Sequence, residues 1–520
     1  MKNLFKYIFA LTLGTCTLTS CDLDTVPTTY LDAGSVFGKT EDAEKVLNGG
    51  WNYLMETWNS YANPGFGAML RANDAMGSDV VLNTKYGFRD HYAFTAIYGK
   101  KGTNTLSWLL IYRVANDCNG VIDNIDNAEG TQADRDRIKG QALALRGFLY
   151  LHLASCYSFA IDKDPNAVCG PIYTKSTDTE TAAEGQPASS VSEVYAQAIS
   201  DLEAALELIP EDYIRNSKQK IDNQVVLGIL SRACLYARQF GKAQDYAEQL
   251  LQKNNHLMTK SEFNDGFGDI SNAEWIWGHP QTADQGDFSY LFNYLDTTSP
   301  TSYYYSFNVD PYFRDLYDDG DFRKDLIYWA TDPGKDVESE TYVWMRNAKF
   351  RFRDVQNKLA DIILMRVAEI YLIHAEASAQ LGGSENMATA LNTLNTLKAS
   401  RGAQLTESGL SKEELLEEIW LERRKELWGE GFSLVDIIRN QKSVERKAYP
   451  SDKIDYTYTD ATGQTKTLKK TPQGHRIFNF PDNSEFCPNS KYYLYRITDN
   501  EELANKNLYS KYPKLSIYTE

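Results

Sequence analysis

No C-x-x-C pair occurs among the seven cysteines of this chain. Setting aside Cys16 and Cys21 in the N-terminal segment leaves Cys118, Cys156, Cys169, Cys234 and Cys487, an odd number. That pattern argues against a disulfide framework and against a structural zinc site, with Cys156–Cys169 as the one pairing left open. The six histidines are scattered and never form H-E-x-x-H. There is no G-x-S-x-G and no phosphate-binding loop, and "GFGAM" has no third glycine for a dinucleotide fingerprint. Basic residues are scarce, 54 Lys and Arg against 71 Asp and Glu, giving a net charge of −17. A nucleic-acid backbone needs clustered cations, so no nucleic-acid partner is expected. Adhesion to anionic lipid by charge is disfavoured for the same reason. Beyond the N-terminus no apolar run approaches the roughly 20 residues that span a bilayer.

The N-terminus has the three parts of a secretory signal: Lys2 and Lys6, an apolar stretch from Tyr7 to Leu18, then small residues. "LTSC", ending at Cys21, resembles the bacterial lipobox, in which a small residue precedes a cysteine that is lipidated and becomes the new N-terminus. "LGTC", ending at Cys16, fits less well because Thr15 is larger than usual there. The expectation is a signal over residues 1–20 and a lipid anchor on Cys21. Asp22 and Asp24 behind it resemble the surface-export signal of Bacteroidetes lipoproteins.

The remaining 21–520 segment reads as one mostly α domain, with 22–40 as a tether. Helical periodicity covers about 41–60, 105–255 and 360–440. Trp108, Tyr112, Asn116 and Asn119 share one helical stripe, and asparagines so placed usually bond to neighbouring backbone. "SSVSEVYAQAISDLEAALELIP" opens with a capping box, Ser190 to Glu193, and is closed by Pro210. Two helix pairs hinge at Gly241 and at Gly382–Gly383, with the small-residue crossings of tetratricopeptide-type repeats. Between the helices lie long aromatic loops, at 62–102 and 273–350, with a short strand expected at "AEWIWGHP". Residues 441–520 read as irregular. The chain holds 34 Tyr, 22 Phe and 9 Trp, and loops carry binding more often than scaffolds do.

Together these motifs resemble the SusD/RagB family of surface nutrient-binding lipoproteins of Bacteroidetes. The resemblance rests on the lipobox, on "WLLIYRVANDCN", on "QALALRGFLYLHLASCY" followed by "GPIY", and on "SSVSEVYAQAISDLEAAL". It continues through "LMRVAEIYLIHAEA", "IWLERRKELWGEGFSLVDIIR" and a terminal "RITDNEELANKNL". Two departures are "ITDNEE", where the family usually has a proline before the acidic residue, and "FSL" after the glycine of "EG". The resemblance implies a SusD-like helical body with about four tetratricopeptide-like helix pairs and long aromatic-rich insertions. It implies a lipid-anchored protein at the outer-membrane surface that binds a glycan and catalyses nothing. The bound ligand passes to a partner, a SusC-like TonB-dependent transporter. Peptide binding on the same fold, or a tetratricopeptide scaffold for another protein, are the alternatives.

Sugar rings pack their C–H faces on aromatic systems while their hydroxyls seek planar polar partners. In the resembled family the loop matching "SDVVLNTKYGFRDHY" commonly lines the pocket. Here it offers Tyr86 and Phe88 as platforms with Asn83, Arg89 and Asp90 as hydroxyl partners. The second candidate is the aromatic insertion from Trp277 onward, with Phe288, Tyr290, Tyr294, Tyr303, Tyr304 and Tyr305. Glu418, Glu422 and Glu426 tempt a paired-carboxylate reading. Interleaved with Arg423, Arg424 and Lys425, however, they would be held ionised, so salt-bridged helix packing is expected. Glu369 and Glu376 should pair with Arg366 or Arg423. No cofactor is expected. The segment from Asp315 to Asp321 is similar to a calcium loop, but Tyr317 replaces an oxygen ligand and no Glu stands at the twelfth position.

Overall fold

The computed structural model describes residues 36–56, 65–83, 87–96, 102–177, 184–283 and 292–515. Cys21 and the signal segment lie outside them. The longer helices are α1 (Thr40–Glu56), α2 (Gly65–Ala75), α3 (Thr103–Asn124), α4 (Gln132–Tyr157), α5 (Val191–Leu208), α6 (Asn223–Tyr236), α7 (Phe240–Lys253), α8 (Val367–Leu381), α9 (Gly383–Ser400), α10 (Lys412–Glu426) and α11 (Ser433–Arg439). From α3 to α10 each helix packs on the next in chain order, a repeat-like array interrupted by insertions. The closest of these packings is α4 on α5. There a Cβ on Gly147 would meet Leu202 Cγ at 2.8 Å and Ala198 O at 2.9 Å, so the backbones approach as only glycine permits. The capping box holds α5 as expected, Ser190 Oγ accepting from Glu193 N while the Glu193 carboxylate accepts from Ser190 N at 3.0 Å. Asn119 donates to the carbonyls of Tyr173 and Lys175, and Asn116 accepts from Thr177 N, so that stripe fixes backbone.

Among the described residues ten strands complete the body: β1 (Val80–Leu82), β2 (Val168–Pro171), β3 (Ala188–Ser190), β4 (Trp275–His279), β5 (Phe307–Val309), β6 (Ile327–Ala330), β7 (Tyr342–Asn347), β8 (Ile362–Arg366), β9 (Ile454–Thr459) and β10 (Thr465–Gln473). They pair as β1–β5, β2–β3, β4–β8 and a four-stranded sheet ordered β6-β7-β10-β9. Several stretches depart from the sequence reading. The 62–102 region contains a helix, α2, because ten of its eleven residues are buried and no polar face marks its period. Residues 362–366, read as helix, form β8 against β4. The run IILMR is buried throughout, and such runs carry no period that distinguishes strand from helix. The 441–520 region holds the β9–β10 hairpin, in which β9 and the first half of β10 alternate between exposed and half-buried while Lys470 and Pro472 are buried.

The hinge after α6 is made by Arg238, at φ 61°, and Gly241 lies inside α7. Gly382 and Gly383 do form the turn between α8 and α9, at φ 70° and 78°. The five described cysteines are free. Cys156 and Cys169 do not pair, Cys169 Sγ pointing instead to Leu153 O at 3.6 Å.

The acidic helix α10 is the centre of a buried charge network. Arg366 donates to Glu274 at 2.7 Å, to Glu426 at 2.6 Å and to Glu430 at 2.7 Å. Arg401 reaches Glu426 at 2.8 Å and Glu274 at 3.3 Å. Arg323 bridges Asp321, Glu422 and Glu426, and Lys349 donates to Glu430 at 2.6 Å. Burial alone would raise the Glu426 carboxyl, but Arg401, Arg366 and Arg323 outweigh it and hold it well below the usual carboxylate range. Burial pushes the Lys349 ammonium down to about 8 despite Glu430. Glu369 pairs with Arg232 at 2.6 Å and Glu376 with Arg439, where the sequence pointed to Arg366 or Arg423; Arg423 stands 4.0 Å from Glu369.

Removing one member of such a network strands its partners without water. Glu426→Gln should lower unfolding free energy by about 3–5 kcal/mol in urea titration. Glu338→Gln, at the exposed Lys466 pair, should leave the midpoint nearly unchanged. Equal effects of the two substitutions would show that the network carries no special load.

Candidate functional site

Val80, Val81 and Leu82 are buried on both faces of β1, which fixes them against β5 in antiparallel register, Val80 to Val309 and Leu82 to Phe307. This ladder places the two candidate loops side by side. Asn83 N donates to Ser306 O at 3.3 Å and Asn83 Nδ2 to Tyr305 O at 3.4 Å. On the other side Tyr304 N and Tyr305 N both donate to Asn293 O, at 3.1 and 2.7 Å. From β7, Arg346 Nη1 donates to Tyr305 O at 2.8 Å and to Asn308 Oδ1 at 2.6 Å, with its guanidinium 5.7 Å from the Tyr305 ring centre. Tyr305 is held at φ 31°, a strained conformation for a tyrosine.

The named aromatics divide sharply. Tyr86, Phe288 and Tyr290 lie outside the described residues. Phe88 is 1 % exposed, packed edge-on to Tyr294 at 5.1 Å and to Phe307 at 5.5 Å. Tyr294 is fully buried and stacks on the buried Tyr304 at 4.6 Å. Trp277 is fully buried between Trp51 and Phe148, with Nε1 donating to Gln219 O at 3.1 Å. A ring without a solvent face cannot stack on a sugar. Phe88, Trp277, Tyr294 and Tyr304 are therefore core residues, a correction to their reading as platforms. Asn83 is 2 % exposed and acts within the ladder. Tyr303 is 51 % exposed, Tyr305 is half-buried, and Arg89 and Asp90 form an exposed pair at 3.4 Å. These four are the named residues that solvent reaches.

Lys358 Nζ lies 3.5 Å from the centre of the Tyr303 ring. Thr301 Oγ1, two residues before Tyr303, donates at 3.5 Å to the carbonyl of Val355, which lines an open cleft of about 570 Å³ together with Thr298, Ser299 and Pro300. Asp265, Asp296, Ser299, Arg351 and Arg353 line that cleft. Asp296 is saturated by the backbone of Thr298, Ser299 and Phe352, while Arg353 pairs with Asp361 at 3.0 Å. The sequence reading missed Lys358 and this cleft, since single polar residues in irregular loops carry no periodic signal. The combination offers a ring face beside donors and acceptors of both signs. Its chemistry is hydrogen bonding and stacking.

The Asp315–Asp321 segment uses its carboxylates internally. Asp321 pairs with Arg323, Asp319 pairs with Lys324, and Asp318 accepts from Gln404 N. Tyr317 is buried and donates to Lys425 O at 3.0 Å. Among the described residues no group of His, Cys, Asp and Glu assembles that could hold a metal ion, and no helix is long and apolar enough to cross a membrane.

Two family profiles match the chain. The SusD family profile covers residues 274–514, and one described as starch-binding associating with outer membrane covers residues 35–235. A solved SusD-like carbohydrate binding protein from Bacteroides vulgatus is 74 % identical, covering 93 % of this chain and 100 % of its own, with a TM-score of 0.90. A SusD superfamily protein from Bacteroides thetaiotaomicron shares the fold at 24 % identity and a TM-score of 0.67, over 79 % of this chain and 90 % of its own. A curated SusD-like protein of Formosa agariphila is 24 % identical over 359 residues, 59 % of this chain and 67 % of its own.

Beneath the ladder, Asp310 N donates to Asp79 O at 3.1 Å, and the buried Asp310 Oδ1 has no partner. Burial first, and the Asp79 carboxylate second, push the Asp310 carboxyl up to about 7. A carboxyl that holds its proton more tightly in the folded state contributes stability at low pH and loses it as pH rises from about 4 toward 7. Asp310→Asn imitates the protonated form at every pH. Its melting temperature should match the wild type near pH 4, exceed it as pH rises through about 5, and exceed it most at about pH 8. A variant equally destabilised at the lowest and highest of these pH values would refute this assignment.

Proposed function

From the premise that this chain belongs to the SusD family, we propose that it is a non-catalytic surface lipoprotein that captures an oligosaccharide for a TonB-dependent transporter. The observation that carries this reading is the β1–β5 ladder, which holds Asn83 against the backbone of the strained Tyr305, next to the exposed Tyr303, while the preceding residues Thr298, Ser299 and Pro300 line a polar cleft. A sugar ring fits that arrangement. Its C–H face packs on Tyr303, and its hydroxyls, both donors and acceptors, find the guanidinium, carboxylate and hydroxyl groups at the rim. Lys358 covers one face of Tyr303, so the ligand takes the opposite face or displaces a flexible ammonium. The carbohydrate-binding description of the 74 % identical relative supports the same ligand class. The lipid on Cys21 supplies attachment to the outer membrane, as the charge of the chain cannot.

Calorimetric titration with malto-, xylo-, laminari- and mannohexaose tests the reading. At least one should bind, and Tyr303→Ala should weaken the tightest event about tenfold, the worth of one aromatic stacking contact. In cells, Cys21→Ala should move the protein out of the membrane fraction. A chain that binds none of the oligosaccharides, while its melting temperature shows it folded, would sink the carbohydrate assignment.

A further inference from the structure

A second cleft, of about 490 Å³, lies in the helical array, and none of its lining residues belongs to the β1–β5 region. Its wall includes Trp420 on α10, Phe240 on α7, and the side chains of Arg238 and Gln441. The backbone at the last two is unusual. Helix α6 ends with Arg238 N donating to Leu235 O and Gln239 N to Cys234 O. Helix α11 ends with Gln441 N donating to Ile438 O and Lys442 N to Ile437 O. Both are paired C-terminal closures that place one residue in the left-handed region, normally a glycine and next most often an asparagine. The same closure after α9 uses Gly402, at φ 72°. Here the residues are Arg238 at φ 61° and Gln441 at φ 49°. Two separate helices thus accept strain at the position where glycine is easiest, and both side chains line the same cleft. Strain of this kind persists where the side chain is needed.

The chemistry of the cleft is that of a polyol site. Arg238 pairs with Asp162 at 3.1 Å, and its Nε is buried without a partner. Lys442 pairs with Glu417, and its ammonium also lies 4.7 Å from the centre of the half-exposed Trp420 ring. Gln441 Oε1 accepts from Asn489 at 3.2 Å. Each lining cation is matched by a carboxylate, and the third lining carboxylate, Glu376, is paired with Arg439 outside the lining, so no charge in the cleft is left unpaired. Donors and acceptors alternate beside an indole, and hydroxyls that both give and accept hydrogen bonds suit them. The volume falls in the range of about 300–1,000 Å³ typical of small-molecule sites.

We infer that this cleft is a second carbohydrate subsite, in which Trp420 stacks on a sugar ring and Arg238 and Gln441 hold its hydroxyls. The inference rests on the ligand class proposed above but on different residues, so the two can fail separately. The full chain in detergent micelles is titrated calorimetrically with the same four hexasaccharides, as wild type, as Tyr303→Ala, and with Gln441→Gly or Trp420→Ala added to Tyr303→Ala. Tyr303→Ala should retain one binding event. Adding Gln441→Gly should weaken that event at least fivefold while leaving the melting temperature unchanged or higher, because glycine relieves the backbone. Trp420→Ala should do the same to binding. A wild-type chain that binds but loses all binding with Tyr303→Ala overturns this inference alone. So does a residual event that neither Gln441→Gly nor Trp420→Ala weakens. A wild-type chain that binds no probe overturns both readings.

Discussion

Four buried cations, Arg323, Lys349, Arg366 and Arg401, meet five carboxylates, Asp321, Glu274, Glu422, Glu426 and Glu430, at one junction of this fold. Their desolvation is costly, and an apolar replacement of the whole set could match their stability. What the network supplies is position. Its members come from the segment before β4, the long insertion, β8, the end of α9 and helix α10. An ion pair of this kind is satisfied only in one geometry, because each guanidinium fork fits its carboxylates in a plane. The insertion and the helical array are therefore locked in register by charges that would otherwise be stranded without water.

The lock reaches the candidate site through one helix. Arg424, two residues before Glu426 on α10, grips Asp79 with bonds of 2.6 and 3.0 Å, and Trp428 Nε1 donates to Asp79 O at 3.1 Å. Asp79 immediately precedes β1. The strand that carries the loop toward Phe88 is thus anchored to the same helix as the charge network, and β5 is zipped onto it by three residue pairs. Short strands cannot hold a surface by themselves. Here the helical body fixes their base, while Tyr303 is exposed and Tyr305 half-buried just before β5.

Much of the helical body was legible because its elements announce themselves. The Ser190–Glu193 box, the Gly382–Gly383 turn and the cation-laced α10 each have a local cause that the folded chain keeps. Elements buried on every side were not legible. Helix α2 and strand β8 have no polar face, and periodicity is a contrast between faces. The turn at Arg238 was misplaced onto Gly241 because glycine is the expected occupant of a left-handed position, and this chain puts arginine there. The site was legible only at the level of segments. Asn83 meets Tyr305, and Phe88 reaches Tyr304 through Tyr294, but which rings face outward depends on burial, and neighbouring Tyr303 and Tyr304 have opposite fates.

The abundance of tyrosine has a structural cause that competes with any binding role. Backbone groups at element ends and in the connecting loops have no ladder or helix partner, so their carbonyls and amides must be satisfied some other way. Tyr112 donates to Pro171 O at 2.9 Å, Tyr150 to Tyr173 O at 2.7 Å and Tyr317 to Lys425 O at 3.0 Å, while Tyr493 Oη accepts from Val444 N at 3.0 Å. In each case the ring packs against or within the core while the phenol serves a backbone group at the end of β2, in the loop after it, near the end of α10 or in the segment after α11. A phenylalanine would pack as well but leave that group orphaned, at a cost of about 1–3 kcal/mol. Tyrosines of this kind are explained by packing and backbone satisfaction alone. A candidate binding residue has to be identified instead by its exposed face and its neighbours, as with Tyr303, 51 % exposed and covered on one face by Lys358.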